Sequence, residues 1–60
     1  MQKTIAAVVV NDHGHILPYT AQATMEQCAE RAVELFGEEV WESVKALGGR
    51  VAQCEIVLLD

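Results

Sequence analysis

Three side chains with the character of metal ligands lie together in the first third of the chain: Asp12, His13 and His15. Two histidines separated by one glycine, with a carboxylate beside them, can bind a transition metal. A zinc site, however, needs four protein ligands, or three and a water molecule. The cysteines that could complete the set, Cys28 and Cys54, fall in segments that the sequence assigns to the core. We therefore interpret the histidine segment as a surface turn and predict neither a metal nor a cofactor.

Nucleophilic catalysis requires a base beside the nucleophile and a third group that orients the base. Here both histidines lie in one predicted turn, and no serine or cysteine is expected near them. The pair Gly48-Gly49 is not followed by the Lys-Ser/Thr of a phosphate-binding loop. A chain of 60 residues also leaves little room for a pocket of the usual size, about 300 Å³ or more. The sequence predicts that the protein is not an enzyme.

An acidic row is the feature that points most directly to a function. Glutamates recur every four residues, with one more beside them, and we call this set the acidic ridge: Glu26, Glu30, Glu34, Glu38, Glu39 and Glu42. Residues four apart are neighbours on a helix, where like charges repel slightly and add nothing to helix stability. The ridge is therefore either a solvated helix face or a surface that contacts a positively charged protein.

A row of carboxylates along a helix can also imitate a nucleic acid. Four residues rise about 6 Å, which is similar to the separation of successive phosphates, so the ridge could occupy a basic channel. Against this, successive glutamates drift by about 40° around the helix axis. In addition, Gly37 interrupts the row, and Arg31 and Lys45 offset part of its charge. The sequence alone is consistent with both interpretations of the ridge, a solvated face and a binding surface.

Length and charge narrow the class of protein. Sixty residues, 52% of them hydrophobic, make one small domain spanning residues 1–60; its core is marginal because so short a chain buries only about 60% of its unfolded surface. Nine acidic against four basic residues give a formal charge of −5, which argues against direct nucleic-acid binding. Ile5–Val10 is too short for a secretory signal or a membrane span. We expect a cytoplasmic protein with two reduced thiols and no membrane contact, the alternative for the cysteines being a disulfide or a reactive thiol.

The first part of the chain predicts a hairpin. Thr4–Val10 is β-branched and apolar on both faces, as in a central strand. Asn11–Gly14 has turn chemistry, with Gly14 able to take a positive φ. His15–Tyr19 reads as the returning strand, and Pro18, which has no N–H to donate, places that strand at an edge of the sheet.

Two helices follow. Thr24 and Gln27 have the form of a capping box. A helix over 25–36 has an apolar stripe formed by Met25, Cys28, Ala29, Ala32, Val33 and Phe36. An unbroken helix through Gly37 would place Trp41 on the side of Glu34, so we predict a break at Gly37. The second helix then has one apolar face formed by Val40, Trp41, Val44 and Leu47, and it ends at Gly48-Gly49.

Val51–Leu59 is the last strand, with a wholly apolar face formed by Ala52, Cys54, Ile56 and Leu58 and a mixed opposite face. The predicted fold is α+β with the order β-β-α-α-β: a three-stranded antiparallel sheet, the first strand central, and two helices packed on one face. The far face of the first strand would then be uncovered. We predict a homodimer through that face or through a sheet edge, the alternative being a different protein that covers it.

Trp41 has two interpretations. A core anchor is the ordinary role of a lone tryptophan in a small domain, but tryptophan is also enriched at binding hot spots. We therefore group Trp41 with five glutamates as candidate partner-binding residues: Glu26, Glu30, Glu34, Glu38 and Glu42.

Several segments together resemble small uncharacterised accessory proteins of temperate (lambdoid-type) phages and prophages. They are the Asp-x-Gly turn at Asp12, the run LPYTAQAT from Leu17 to Thr24, and the pattern W-x-x-V-K-A-L-G-x-R-V from Trp41 to Val51. The resemblance covers most of the chain and brings no functional residues with it. It implies a bacterial cytoplasm and an accessory role, often against host machinery.

Taken together, the sequence predicts a non-enzymatic protein that binds and modulates a host or phage protein through an acidic helix face. That partner is expected to be basic or nucleic-acid-binding, since the net charge of the chain is negative. The alternatives are a DNA-mimic inhibitor of a nucleic-acid-binding enzyme and a purely structural, self-assembling subunit.

Overall fold

Three antiparallel strands and two helices make the α+β fold that the sequence predicts. The structure, a computed structural model, describes residues 2–59. The elements follow in the predicted order: β1 (Lys3–Val10), β2 (Ile16–Gln22), α1 (Met25–Phe36), α2 (Glu38–Ala46) and β3 (Arg50–Val57). In the sheet the order is β2-β1-β3, so the first strand is central and the strand that contains Pro18 lies at an edge, as predicted.

The turn between β1 and β2 is held by Asn11. Its side-chain Oδ1 accepts hydrogen bonds from the backbone N–H groups of His13 and His15, at 3.0 and 2.9 Å. Gly14 has a φ of 80° and donates its N–H to the carbonyl of Asn11. This is a three-residue hairpin loop that ends in a left-handed glycine, as predicted. The returning strand is longer than predicted, since it continues to Gln22.

β2 bulges away from β1 after this turn. Leu17 lies opposite Val9 and Gln22 lies opposite Ala7, so five steps along β2 match only two along β1. Pro18 lies inside the extra segment, where its missing N–H breaks no bond of a regular ladder.

Inside the bulge, the hydroxyl of Thr20 replaces backbone hydrogen bonds that β1 and β2 do not form directly. Asn11 donates its N–H to the carbonyl of His15, so by alternation Val9 and Leu17 would form the next hydrogen-bonded pair. Instead, Thr20 Oγ1 accepts from the N–H of Val9 at 2.8 Å and donates to the carbonyl of Leu17 at 2.6 Å. Thr20 is fully buried, and both backbone groups are satisfied by its side chain.

The two helices are separated at Gly37. Thr24 begins α1, and its Oγ1 accepts from the N–H of Gln27 at 3.1 Å, which is the first of the two bonds of the predicted capping box. Gly37 has φ 83° and ψ 153°, outside the helical region, and donates its N–H to the carbonyl of Val33. The predicted break at Gly37 is confirmed.

Both helices pack on the same face of the sheet. The buried cluster joins Ala7 and Val9 of β1 to Cys28 and Ala32 of α1 and Trp41 of α2. Half-buried side chains surround it: Leu17, Phe36, Val44 and Val51. Trp41 is 4% exposed, which confirms its interpretation as a core anchor.

α2 buries a narrower stripe than predicted. Trp41 and Val44 face the core, but Val40 is 52% and Leu47 69% exposed. The predicted four-residue apolar face of this helix was therefore too wide. Gly49 allows a tight turn at the end of α2: a Cβ at this position would collide with the Val44 side chain and lie 2.9 Å from the Val44 carbonyl and 3.3 Å from the Val10 carbonyl.

The second face of the sheet, which we call the outer face, carries the wholly apolar side of β3. Ala6 lies opposite Cys54 and Val8 opposite Ala52, and these residues alternate with those that pack on the helices. The prediction that this side of β1 is uncovered was wrong, since Ala6, Val8 and Val10 are at most 7% exposed. The exposed apolar residues of the outer face lie at its margins, where Ile16 is 60% and Ile56 45% exposed.

Candidate functional site

The acidic ridge lies on the solvent side of the helical layer. All six of its glutamates are exposed. At about 100° per residue, Glu30 lies roughly 180° around α1 from the midpoint of Cys28 and Ala32, the two residues that this helix buries completely. The α1 part of the ridge therefore points directly away from the core.

The break at Gly37 divides the ridge into two short rows. Glu26, Glu30 and Glu34 follow one another on α1, and Glu38, Glu39 and Glu42 lie on α2. Each row begins at or near a helix N-terminus, with Glu26 in the first turn of α1 and Glu38 and Glu39 in the first turn of α2. A carboxylate is favourable there because it opposes the positive end of the helix dipole.

Two of the ridge carboxylates have cationic partners. Arg31 Nη1 lies 3.9 Å from Glu34 Oε2, and Lys45 Nζ lies 3.1 Å from Glu42 Oε1. Both pairs are largely exposed, so each adds little to stability. Within residues 2–59 the other ridge members form no ion pair: Glu26, Glu30, Glu38 and Glu39.

Trp41 does not belong to this surface. Its ring is buried, and the Lys45 ammonium lies 5.4 Å from the ring centroid, within the range of a cation–π contact. Its inclusion among the candidate partner-binding residues is corrected by this burial, because a partner could reach the ring only after α2 had moved.

The turn histidines lie apart from both cysteines. His13 Nε2 is 3.7 Å from Asp12 Oδ2, and the rings of His13 and His15 are 6.4 Å apart between centroids. Cys28 is buried on α1. Within residues 2–59 no three His, Cys, Asp or Glu side chains converge on a point where they could hold a metal ion.

The thiol of Cys28 is part of the core. Its Sγ donates to the carbonyl of Thr20 at 3.4 Å. Burial raises the pKa of this thiol above its ordinary value; a hydrogen bond with the side chain of Thr20 partly lowers the pKa, and Cys54 adds a smaller rise. A neutral, buried thiol is a poor nucleophile, so the position of Cys28 favours packing over chemistry.

An open groove of about 470 Å³ lies at the end of the β1–β3 ribbon. Its lining is formed by Gln2, Lys3, Thr4, Ile56, Val57 and Leu58. Among the residues that the structure describes, Lys3 is the one ionisable side chain in this lining.

The sequence predicted a sheet edge as one possible interface without saying which edge, and the structure distinguishes the two: the edge of β3 is regular and the edge of β2 is not. Within residues 2–59, β3 pairs with β1 alone, and its eight residues run without a bulge opposite β1. The signal was available in the residues themselves, since Arg50–Val57 contains no proline, unlike β2.

Comparison of this chain with models of known protein families, with curated proteins and with solved structures gives no match. Neither of the helices in residues 2–59 is long and apolar enough to cross a membrane.

Proposed function

We propose that this protein is a non-enzymatic binding protein that contacts a basic protein partner through the acidic ridge. One observation carries the proposal: four of the six ridge carboxylates lie exposed and have no cation beside them within residues 2–59. The setting we propose is the bacterial cytoplasm, with an accessory role of the kind found in temperate phages.

The distribution of charge supports a recognition surface over a merely solvated one. Six glutamates against Arg31 and Lys45 leave −4 on the two helices, out of −5 for the whole chain. A solvated surface usually mixes both signs. Here both helical cations are already paired with glutamates, so a partner meets charge of a single sign.

Such a surface acts mainly on the rate of association. Charges of one sign attract an oppositely charged protein over about a Debye length, roughly 8 Å at physiological ionic strength. Complementary potentials accelerate encounter and add less to the lifetime of the complex. The proposed contact is therefore fast to form and sensitive to salt.

Nucleic-acid mimicry is the narrower form of this function. The α1 row has the appropriate rise of about 6 Å for each four residues, but Gly37 ends it after three glutamates. The row could thus replace only a few successive phosphates. This geometry favours a general basic partner over a long nucleic-acid channel.

The test compares two variants that lose the same charge. Glu26→Gln with Glu30→Gln removes two unpaired ridge carboxylates, and the matched control, Asp12→Asn with Glu55→Gln, removes two carboxylates elsewhere; both change the net charge from −5 to −3. Proteins retained from a bacterial lysate by the wild-type chain would be identified by mass spectrometry and measured for association rate.

We expect the ridge variant to associate at least tenfold more slowly than wild type and the control to retain most of the wild-type rate. Association of the wild-type chain should also slow as salt rises. Equal loss in both variants would indicate a simple effect of net charge. Binding that ignores both the ridge variant and added salt would remove the ridge from consideration.

A further inference from the structure

The protomer is more open than a compact chain of its size. Its accessible surface is 4321 Å², whereas a folded monomer of 6.6 kDa has about 3900 Å². Its radius of gyration is 11.9 Å, against about 10.4 Å for a compact domain of 60 residues. The excess surface indicates a chain suited to pack against another molecule.

The two edges of the sheet differ in how they are protected. β2 carries Pro18 and a bulge, two features that block pairing with a further strand. β3 has neither, and its eight residues pair regularly with β1 on one side only. An exposed regular edge of this length is a template for a further strand.

The alternation of hydrogen bonds identifies which groups point out from this edge. The N–H of Leu58 donates to the carbonyl of Gln2 at 2.9 Å, so within β3 the even-numbered residues face β1. The outward backbone groups therefore belong to the odd-numbered residues: Val51, Gln53, Glu55 and Val57.

We infer that the β3 edge pairs with the β3 edge of a second copy of this chain, antiparallel and centred on Cys54, to form a continuous six-stranded sheet. This inference is independent of the acidic ridge, which lies on the helices. The outer face alone would not support it, because the β1 residues there are already buried.

The register follows from the outward groups. In an antiparallel pair, residues that exchange hydrogen bonds must both point towards the partner strand. The two-fold axis between the two copies must therefore pass through a residue of β3, since an axis between two residues would pair outward with inward groups. Centring on Glu55 opposes two like charges. Centring on Gln53 leaves Val57 without a partner among the outward residues. Centring on Cys54 uses all four outward residues and opposes Glu55 to Gln53.

In this register the outer face of one copy is continuous with the outer face of the second copy, and the helix face with the helix face. On the outer face Cys54 lies opposite Cys54 of the second copy, and Ala52 lies opposite Ile56 of the second copy, so the half-exposed Ile56 gains an apolar neighbour. On the helix face Val51 lies opposite Val57 of the second copy. An edge-to-edge contact of this kind is small compared with about 800 Å² per partner in a standard interface, so the dimer should form reversibly with concentration.

Cysteine cross-linking tests the register. In a non-hydrogen-bonded pair the two Cα atoms are about 4.5 Å apart, which a disulfide can span. Diamide takes two electrons from the two thiols and links them, and Cys28→Ala removes the other thiol. We expect rapid dimer formation by Cys28→Ala alone. The matched control is Cys28→Ala with Cys54→Ala and Ala52→Cys, whose thiols lie about 13 Å apart in this register and should cross-link at least tenfold more slowly.

A mixture of two cysteine variants gives a positive control, because this register places their thiols opposite each other. Ala52→Cys mixed with Ile56→Cys, both in the background without Cys28 and Cys54, should cross-link as mixed dimers faster than either variant does with itself. Equal rates for Cys54 and for the Ala52→Cys control would overturn the register.

Sedimentation equilibrium tests the edge itself. The wild-type chain should show a concentration-dependent dimer whose mass fraction does not fall as salt rises, because two copies of charge −5 repel each other and salt screens this repulsion. Gln53→Pro removes one outward N–H while leaving pairing with β1 intact, and it should weaken the dimer at least tenfold; Gln53→Ala should not. A wild-type monomer at all concentrations up to hundreds of micromolar would refute the inference, as would a proline variant that is folded by circular dichroism and still dimerises. If the proline variant does not fold, the cross-linking result decides.

Discussion

The N–H of Val9 donates to the hydroxyl of Thr20 at 2.8 Å, although the two residues lie on different strands and Thr20 is not the backbone partner of Val9. The hydroxyl passes a hydrogen bond on to the carbonyl of Leu17. One side chain thus satisfies two buried backbone groups and stabilises the bulge of β2.

Replacing Thr20 tests this role. Thr20→Val keeps the shape of the side chain but leaves the Val9 N–H and the Leu17 carbonyl without their partner, and each unsatisfied buried group costs about 1–3 kcal/mol. We expect a loss of about 2–4 kcal/mol in the free energy of unfolding, measured by urea denaturation. Thr20→Ser, which keeps the hydroxyl, should cost clearly less. Equal losses in the two variants would show that the methyl group, and not the hydroxyl, is what matters.

Gly49 offers a second test, of the tight turn that follows α2. Gly49→Ala places a methyl group against the Val44 side chain, and overpacking of this kind costs about 1–3 kcal/mol. Because the collision is partly with that side chain, the cost should fall in a Val44→Ala background. Gly14→Ala, at a positive φ with open space around it, is the control, and its cost should be the same in both backgrounds. A cost of Gly49→Ala that is unchanged by Val44→Ala would point to the backbone as the obstacle.

The burial of Cys28 predicts a loss of stability at alkaline pH. Its pKa is raised in the folded chain, so as pH rises the unfolded chain loses the thiol proton first. The stability that comes from the neutral thiol is fully present below the unfolded pKa and is lost as pH rises towards the folded pKa. Chemical denaturation at several alkaline pH values should show a steeper decline for the wild-type chain than for Cys28→Ala. Parallel declines would contradict the assignment.

The ridge predicts opposite effects on folding for its paired and unpaired members. Glu30→Gln relieves like-charge repulsion with Glu26 and Glu34, each four residues away, and should leave the free energy of unfolding unchanged or raise it by about a few tenths of a kcal/mol. Glu34→Gln with Glu42→Gln instead removes the partners of Arg31 and Lys45 and should lower it slightly. Thermal unfolding at low salt would distinguish the two kinds of variant, and the difference between their stabilities should shrink at high salt. A difference that persists at high salt would argue against an electrostatic cause.

Much of the fold was predictable because its signals are local. The turn follows from Asn11 and Gly14, and α1 follows from its apolar spacing. The break at Gly37 follows from the position of Trp41 relative to Glu34. Each depends on residues within a few positions of one another, which determine the backbone conformation directly.

The remaining features depend on pairing between distant segments. The sequence of β3 predicts two faces, but not that the less apolar face packs on the helices; that follows from Val51 lying opposite Val9. The insertion of Thr20 depends on how β2 meets β1. In the candidate site, the exposure of Glu30 was predictable from helical periodicity, whereas the outward groups of β3 could be assigned only from the observed register.

The central position of β1 has a consequence for how the chain is made. Lys3 at its start pairs with Val57, more than fifty positions further on, so β1 is synthesised well before β3, the strand that pairs with it along its whole length. On the ribosome, the hairpin and α1 can form while one side of β1 is still unpaired, and the long loop between β1 and β3 closes only after β3 has been synthesised. During that interval the growing chain exposes an apolar strand edge, which is the period in which a chaperone, or a neighbouring nascent copy, can bind it.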